Sequence, residues 1–186
     1  MKYIDTERGF FDRDCLVIDF ETTGKDAATA EVLQVSIIDG WGLTLMNTYC
    51  TPEHVTEWRE AEAIHGISPE TVKDRPTFRE ILPAVQKLID RAPFLIAYNA
   101  AYELGILRRY GATIVKPFVD PMLMFAPVYG EWNAYRGNYR WQKLTTAATY
   151  YGYRFDAHDA LADVKATLHV FESMLADGVS PEMIAC

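Results

Sequence analysis

Apolar and polar positions along the chain fall into short runs whose periods predict an order of elements. Residues 15–21, 31–38 and 43–50 read as strands, and Gly40 and Gly42 mark a tight turn between the second and third, so the three form an antiparallel meander. From Thr77, a residue suited to an N-cap, Ile81, Leu82, Val85, Leu88 and Ile89 recur at helical spacing, with Pro83 in the first turn or at a kink. Residues 93–98 read as a short apolar strand. Asn99 is then an N-cap for a helix over 100–110, Gly111 stops it, and 116–119 make a brief fifth strand. From the fifth strand on, strands and helices alternate. The last helix has the clearest pattern: Leu161, Val164, Leu168, Phe171 and Leu175 recur at steps of three and four, with Asp159 at the N-cap and Gly178 beyond the end.

One strand carries an anomaly. The apolar run that begins at Cys15 continues into Asp19, Phe20 and Glu21. Successive side chains of a strand point to opposite faces, so Asp19 and Glu21 share a side. Two like charges then lie next to each other and repel, unless a positive group sits between them or one takes up a proton. Asp163 lies at the edge of the last helix's apolar stripe, between Ala160 and Thr167, where small neighbours leave room around a carboxylate. His158, five residues earlier, belongs on the loop entering that helix.

Composition narrows the setting. With 186 residues, about half of them apolar, the chain fits one domain, and it has no internal repeat, low-complexity tract or Gly/Ser linker. Cys15, Cys50 and Cys186 are too scattered for a disulfide framework or a zinc knuckle. The N-terminal residues lack the apolar core of a signal peptide, and no run approaches the roughly 20 apolar residues of a membrane span, which predicts a soluble, cytoplasmic protein without a membrane partner. A net charge of −8 disfavours tracking along a duplex. Two divalent cations held by four of the acids would halve that charge and concentrate the positive part at one point.

Three motifs, DFETTG at 19–24, YNAAYELGIL at 98–107 and HDALAD at 158–163, resemble the DEDD superfamily of 3′ to 5′ exonucleases, in the branch with a histidine. That branch includes proofreading epsilon-type subunits, RNase T and oligoribonuclease. IHGIS at 64–68, VDPMLM at 119–124 and KLTTAATYYGY at 143–153 resemble its connecting segments, so the likeness covers nearly the whole chain. The resemblance implies an α/β, RNase H-like fold, with a mixed five-stranded sheet flanked by helices and residues 1–13 as an N-terminal extension. It implies that Asp19, Glu21, Glu103 and Asp163 hold two divalent cations, Mg²⁺ or Mn²⁺, a hard-oxygen set suited to in-line phosphoryl displacement. His158 would take the proton from the attacking water, while Thr22, Thr23, Gly24 and Asn99 would line the pocket for the terminal nucleotide. Glu103 stands where the family's second motif carries Asp, and Tyr98 where a histidine precedes the Asn. Taken singly, each residue has an ordinary role: Asp19 and Glu21 as an exposed strand end, Glu103 as a helix-surface acid, Asp163 as a partner of the helix dipole, His158 as a loop residue. His54, His65 and His169 read as structural.

The segment 127–143 is the least family-like. It reads as a loop in which Tyr129, Trp132, Tyr135, Tyr139 and Trp141 alternate with Arg136, Arg140 and Lys143, a mixture suited to stacking unpaired bases, with Trp132 and Arg136 as its candidate contacts. The same rings could instead pack onto the sheet edge. The expected activity is removal of nucleotides from the free 3′ end of single-stranded DNA, with RNA trimming as the alternative and, because of Glu103, a weakened or inactive nucleic-acid-binding module as a second. A polymerase or other nucleic-acid enzyme is the candidate protein partner.

Overall fold

In the computed structural model, which describes residues 3–5 and 10–184, a short hairpin of β1 (Ile4–Asp5) and β2 (Phe10–Phe11) precedes the main sheet. The expected meander follows as β3 (Leu16–Thr22), β4 (Val32–Asp39) and β5 (Thr44–Tyr49). α1 (Arg59–His65), α2 (Pro69–Val72) and α3 (Phe78–Arg91) lead to β6 (Leu95–Ile96), α4 (Ala100–Arg109), β7 (Phe118–Val119) and α5 (Pro121–Tyr129). A second hairpin, β8 (Trp132–Asn133) with β9 (Asn138–Tyr139), comes before α6 (Leu144–Tyr150), α7 (Ala160–Ala176) and β10 (Met183–Ile184). The sheet order is β10-β7-β6-β3-β4-β5. β3, β6 and β7 run parallel, whereas β4, β5 and β10 pair antiparallel with their neighbours.

The two faces of β3 have different partners. Leu16, Ile18 and Phe20 pack with Val35, Ile37 and the apolar stripes of α3 and α4. Cys15 and Val17 face the other way, into a core with Phe125 of α5 and Val164, Leu168 and Phe171 of α7. A fully buried side chain of this size contributes about 1.5–3 kcal/mol, so both layers are strongly held. By strand alternation Asp19 and Glu21 continue the Cys15–Val17 side, beneath α7. They do so at the carboxyl end of β3, next to the carboxyl end of parallel β6. This is where open α/β sheets place their ligands.

Several expectations are corrected. The sheet has six strands, not five, because β10 adds a two-residue edge too short to show a period. Within the segment read as an N-terminal extension, Phe11 is buried and meets Phe171 edge-on with ring centroids 5.2 Å apart. Strict alternation stops after α5, since a hairpin and two successive helices follow. Segment 127–143 is the end of α5 plus the β8–β9 hairpin rather than a loop; Tyr135 and Trp141 are exposed, while Tyr129 meets the buried Phe125 with ring centroids 5.7 Å apart. Pro83 lies inside α3, which continues through it from a Thr77–Glu80 capping box. Cys15 and Cys50 are buried and free, while Cys186 falls outside the described residues. Among the described residues no helix is long and apolar enough to cross a membrane.

Asn99 occupies the expected cap position of α4, but with φ +69° and no side-chain cap bond. Asp120, entering α5, takes over. Its buried carboxylate accepts from the backbone N–H of Asn99 at 3.0 Å, Ala100 at 2.9 Å and Met122 at 2.9 Å, tying the start of α4 to that of α5. Asp120→Ala leaves these donors without an acceptor and should destabilise the domain by roughly 1–3 kcal/mol, read from urea unfolding. An unchanged midpoint would show that α4 is positioned by other contacts.

Candidate active site

Each motif arrives at the same end of the sheet by a different local device. Asp19 and Glu21 are set by β3, opposite Ser36 and Gln34 of β4, and a register shift after Glu21 turns the chain away into 22–24. Asp163 lies in the first turn of α7. That helix start is held by Gln34, whose amide donates to Asp159 Oδ1 at 2.8 Å and accepts weakly from Ala160 N–H at 3.4 Å. Because Gln34 is the cross-strand partner of Glu21, the bond that docks α7 also brings Asp163 beside Glu21. His158 has φ +73°, and its backbone N–H donates to Asp163 Oδ2 at 3.2 Å. One ligand atom each from Glu21, His158 and Asp163 lie within 4.8 Å of one another. Among the described residues three non-glycine residues have positive φ, and two of them, Asn99 and His158, line the adjoining cleft. Backbone held in a sparsely populated region is typical of functional sites.

The electrostatics match the repulsion expected from the sequence. Burial raises the Asp19 carboxyl well above its ordinary range, and repulsion from Glu103, Asp163 and Glu21 adds to it. Glu103 is raised likewise, by burial and then by Glu21 and Asp120. Glu21 is pushed up to about 8 by burial, then Asp163 and Asp159. Asp163 is pushed up to about 7, again mainly by burial, against the lowering effect of the His158 N–H. Glu103 is a buried acid of α4, not a surface one, and its Oε2 has no hydrogen-bond partner among the described residues. A hard-oxygen donor set in a strongly negative, partly dry setting fits a divalent cation.

Beyond the acids opens a cleft of about 820 Å³. Thr22, Thr23, Gly24, Asn99 and His158 line it, and α1 forms a wall with Ile64 and His65. Two hydroxyls of the expected contact set are engaged internally. Thr23 Oγ1 accepts from Glu31 N–H at 2.9 Å, closing the 23–31 loop, and Thr22 Oγ1 lies 2.7 Å from Gly24 O and 2.6 Å from the Tyr102 hydroxyl. Tyr102 also reaches Gly24 O at 2.7 Å, so the residue preceding Glu103 clamps the turn that follows Glu21. Nothing in the sequence reading singled it out, although its place beside a motif acid is the signal. His65 is a structural support at the edge of the cleft, as expected. It lines the cleft, accepts from Ile67 N–H through Nδ1 at 3.0 Å and so presents Nε2–H to Thr22 O at 3.2 Å. Burial, with a smaller push from His158, lowers its pKa. His169 is structural as expected, stacked on Tyr153 with Nε2 3.1 Å from Tyr151 O. Trp132 and Arg136 are exposed on the β8–β9 hairpin and are not among the cleft-lining residues.

Residues 16–171, a span that contains all four acids and His158, match the family profile described as exonuclease, of RNase T type. The uncharacterized exonuclease CP81 of Escherichia phage 186 is 33% identical over 180 residues, 90% of this chain and 91% of its own length. The epsilon subunit of DNA polymerase III from Escherichia coli K12 is 25% identical over 173 residues, 86% of this chain and 70% of the subunit. The solved structure of exonuclease X in complex with 5′ overhanging duplex DNA shares the fold, with a TM-score of 0.67 over 92% of this chain and 97% of that one at 18% identity. The chain belongs to the RNase T-type exonuclease family.

Proposed function

We propose that this protein removes nucleotides one at a time from the free 3′ end of single-stranded DNA. The observation that carries the reading is the convergence of Asp19, Glu21, Glu103 and Asp163 at one end of the sheet, with His158 at the mouth of the cleft beside them. These four carboxylates would hold two divalent cations, Mg²⁺ or Mn²⁺, which when bound neutralise charge on the attacking and leaving oxygens of an in-line displacement. The chain's own residues do the rest. The turn 22–24, clamped by Tyr102 and His65, and Asn99 form the pocket in which the terminal nucleotide is oriented. The His158 imidazole, exposed on a loop fixed to Asp163, accepts the proton of the attacking water. The products are a nucleoside 5′-monophosphate and a strand shortened by one, ending in a 3′-hydroxyl.

DNA as the substrate is supported by the relation to a DNA polymerase III subunit and by the DNA in the exonuclease X structure. The epsilon relation also supports a polymerase as partner class and the cytoplasm as location. The longer arm of Glu103, with one oxygen buried and unpartnered, keeps a carboxylate directed into the cluster, which favours a working enzyme over a binding module.

The test is mononucleotide release from single-stranded DNA and RNA oligonucleotides in Mg²⁺ and Mn²⁺. Excess EDTA or Asp19→Asn should abolish it. His158→Ala should lower kcat by roughly 10²–10⁴, the usual contribution of proton transfer, with metal affinity nearly unchanged. Glu103→Gln should lose activity that Glu103→Asp partly keeps. Full turnover in EDTA contradicts the reading, and equal release from RNA contradicts the choice of DNA.

A pH dependence follows for the metal-free protein. Glu21 and Asp163 have folded-state values of about 8 and about 7 against ordinary values of 4.5 and 3.8. Between those limits the folded state binds more protons than the unfolded chain, so stability falls as pH rises. His65, whose pKa burial lowers, opposes this as a single group. In EDTA the protein should therefore melt at a lower temperature near pH 8 than near pH 5.5, and Glu21→Gln should flatten the difference. The reverse order would mean that the acids are ionised and stabilised by protein groups.

A further inference from the structure

The β8–β9 hairpin has no part in the chemistry above, yet one of its faces is built from rings. Trp132 and Tyr139 are cross-strand partners in T-shaped contact, with centroids 5.1 Å apart. Arg140 N–H donates to Glu131 O at 2.8 Å, continuing the ladder by one residue. Alternation then turns Trp141 to the side of Tyr139 and leaves Arg140 on the other, where it pairs with Glu131 at 3.3 Å. The three rings are 54%, 39% and 58% exposed. Such a stripe of exposed large rings needs an explanation that core packing does not supply.

Charge and position both point to one occupant. In a chain of net charge −8, residues 127–144 hold Arg136, Arg140 and Lys143 against Glu131 alone, a local surplus of positive charge. The base of the hairpin is also tied to the cleft. The Tyr98 hydroxyl donates to Gln142 O at 2.8 Å, and Tyr98 immediately precedes Asn99 of the cleft wall. The stripe therefore starts at Trp141, next to the Gln142 carbonyl held by Tyr98, and runs outward to Tyr139 and Trp132.

We propose that this face of the hairpin binds the unpaired strand immediately 5′ of the terminal nucleotide, with bases stacking on Trp141, Tyr139 and Trp132 and phosphates drawn to Arg136 and Lys143. The inference rests on the reading of the cleft as the terminal-nucleotide pocket. It makes the enzyme length-sensitive: an end shorter than the span from cleft to stripe loses the stacking contacts. A paired end presents no free base faces and gains none.

The test is binding by the full chain in excess EDTA, so that nothing is hydrolysed, using fluorescein-labelled oligothymidylates of about 12 and about 3 nucleotides, within and below the usual single-strand footprint. The wild type should bind the longer strand more tightly, with quenching of tryptophan emission. Trp132→Ala and Trp141→Ala should each cost roughly 5- to 150-fold in affinity for it, without lowering the melting temperature, and should bring the two lengths closer together. Arg136→Gln with Lys143→Gln should flatten the salt dependence. Length-independent wild-type binding, equal affinity for a blunt duplex, or variants that bind the longer strand like the wild type would overturn the proposal. So would variants that change only the sedimentation coefficient, since the stripe would then cover a second copy of the chain. A wild type that binds as described yet releases no mononucleotide in Mg²⁺ would overturn the proposed function and leave the hairpin's role standing.

Discussion

Four carboxylates from β3, α4 and α7 share one end of the sheet, and their mutual repulsion in a partly dry setting is the constraint to which the surrounding structure answers. A protein has two ways to tolerate such a cluster, protonation or a bound cation. The first leaves an acid cluster without the ionised ligands that phosphoryl chemistry needs. The second would turn the repulsion into affinity, because each carboxylate that is costly alone would become a ligand.

Holding the cluster together takes fixed supports from all sides. Asp120 anchors the start of α4 and hence Glu103, while Gln34 docks the start of α7 and hence Asp163. Tyr102 and His65 clamp the turn that leaves β3. His158 and Asn99 sit in left-handed backbone at the rim, a strain that the packing on either side must offset. Asp120, Gln34, Tyr102 and His65 act only by holding the acids and the turn in place. A site that tolerates only small displacements of its acids nevertheless depends on each of them, since a shift of about 1 Å can cost on the order of a hundredfold in rate.

Asp19 and Glu21 were legible because they break a pattern, charges on the side of a strand that otherwise reads as core, whereas Glu103 stood out only through the motif resemblance. Alternation alone put Asp19 and Glu21 on one face, and helical periodicity put Asp163 at the edge of a buried stripe. The supports were harder to read, because they act across long separations. Gln34 and Asp159 are 125 positions apart, and Tyr102 and Gly24 are 78 apart. Asn99 misled for the same reason. Local cap chemistry suggested it, but a carboxylate 20 positions beyond Ala100 satisfies the helix start instead. Two-residue strands such as β10, and a hairpin paired over only two residues per strand, carry too few positions to show a period of two.

The most direct measurement is the melting temperature of the wild type and Asp19→Asn, each in excess EDTA and in excess Mn²⁺, near pH 8, where the acids are driven to ionise. Without a cation the variant should melt above the wild type, because asparagine removes a charge that only repels its neighbours. With Mn²⁺ the order should reverse, because the wild type gains a ligand that the variant lacks. A variant that melts below the wild type in EDTA as well would show that Asp19 is stabilised by the protein itself, and that the cluster is not built for a cation.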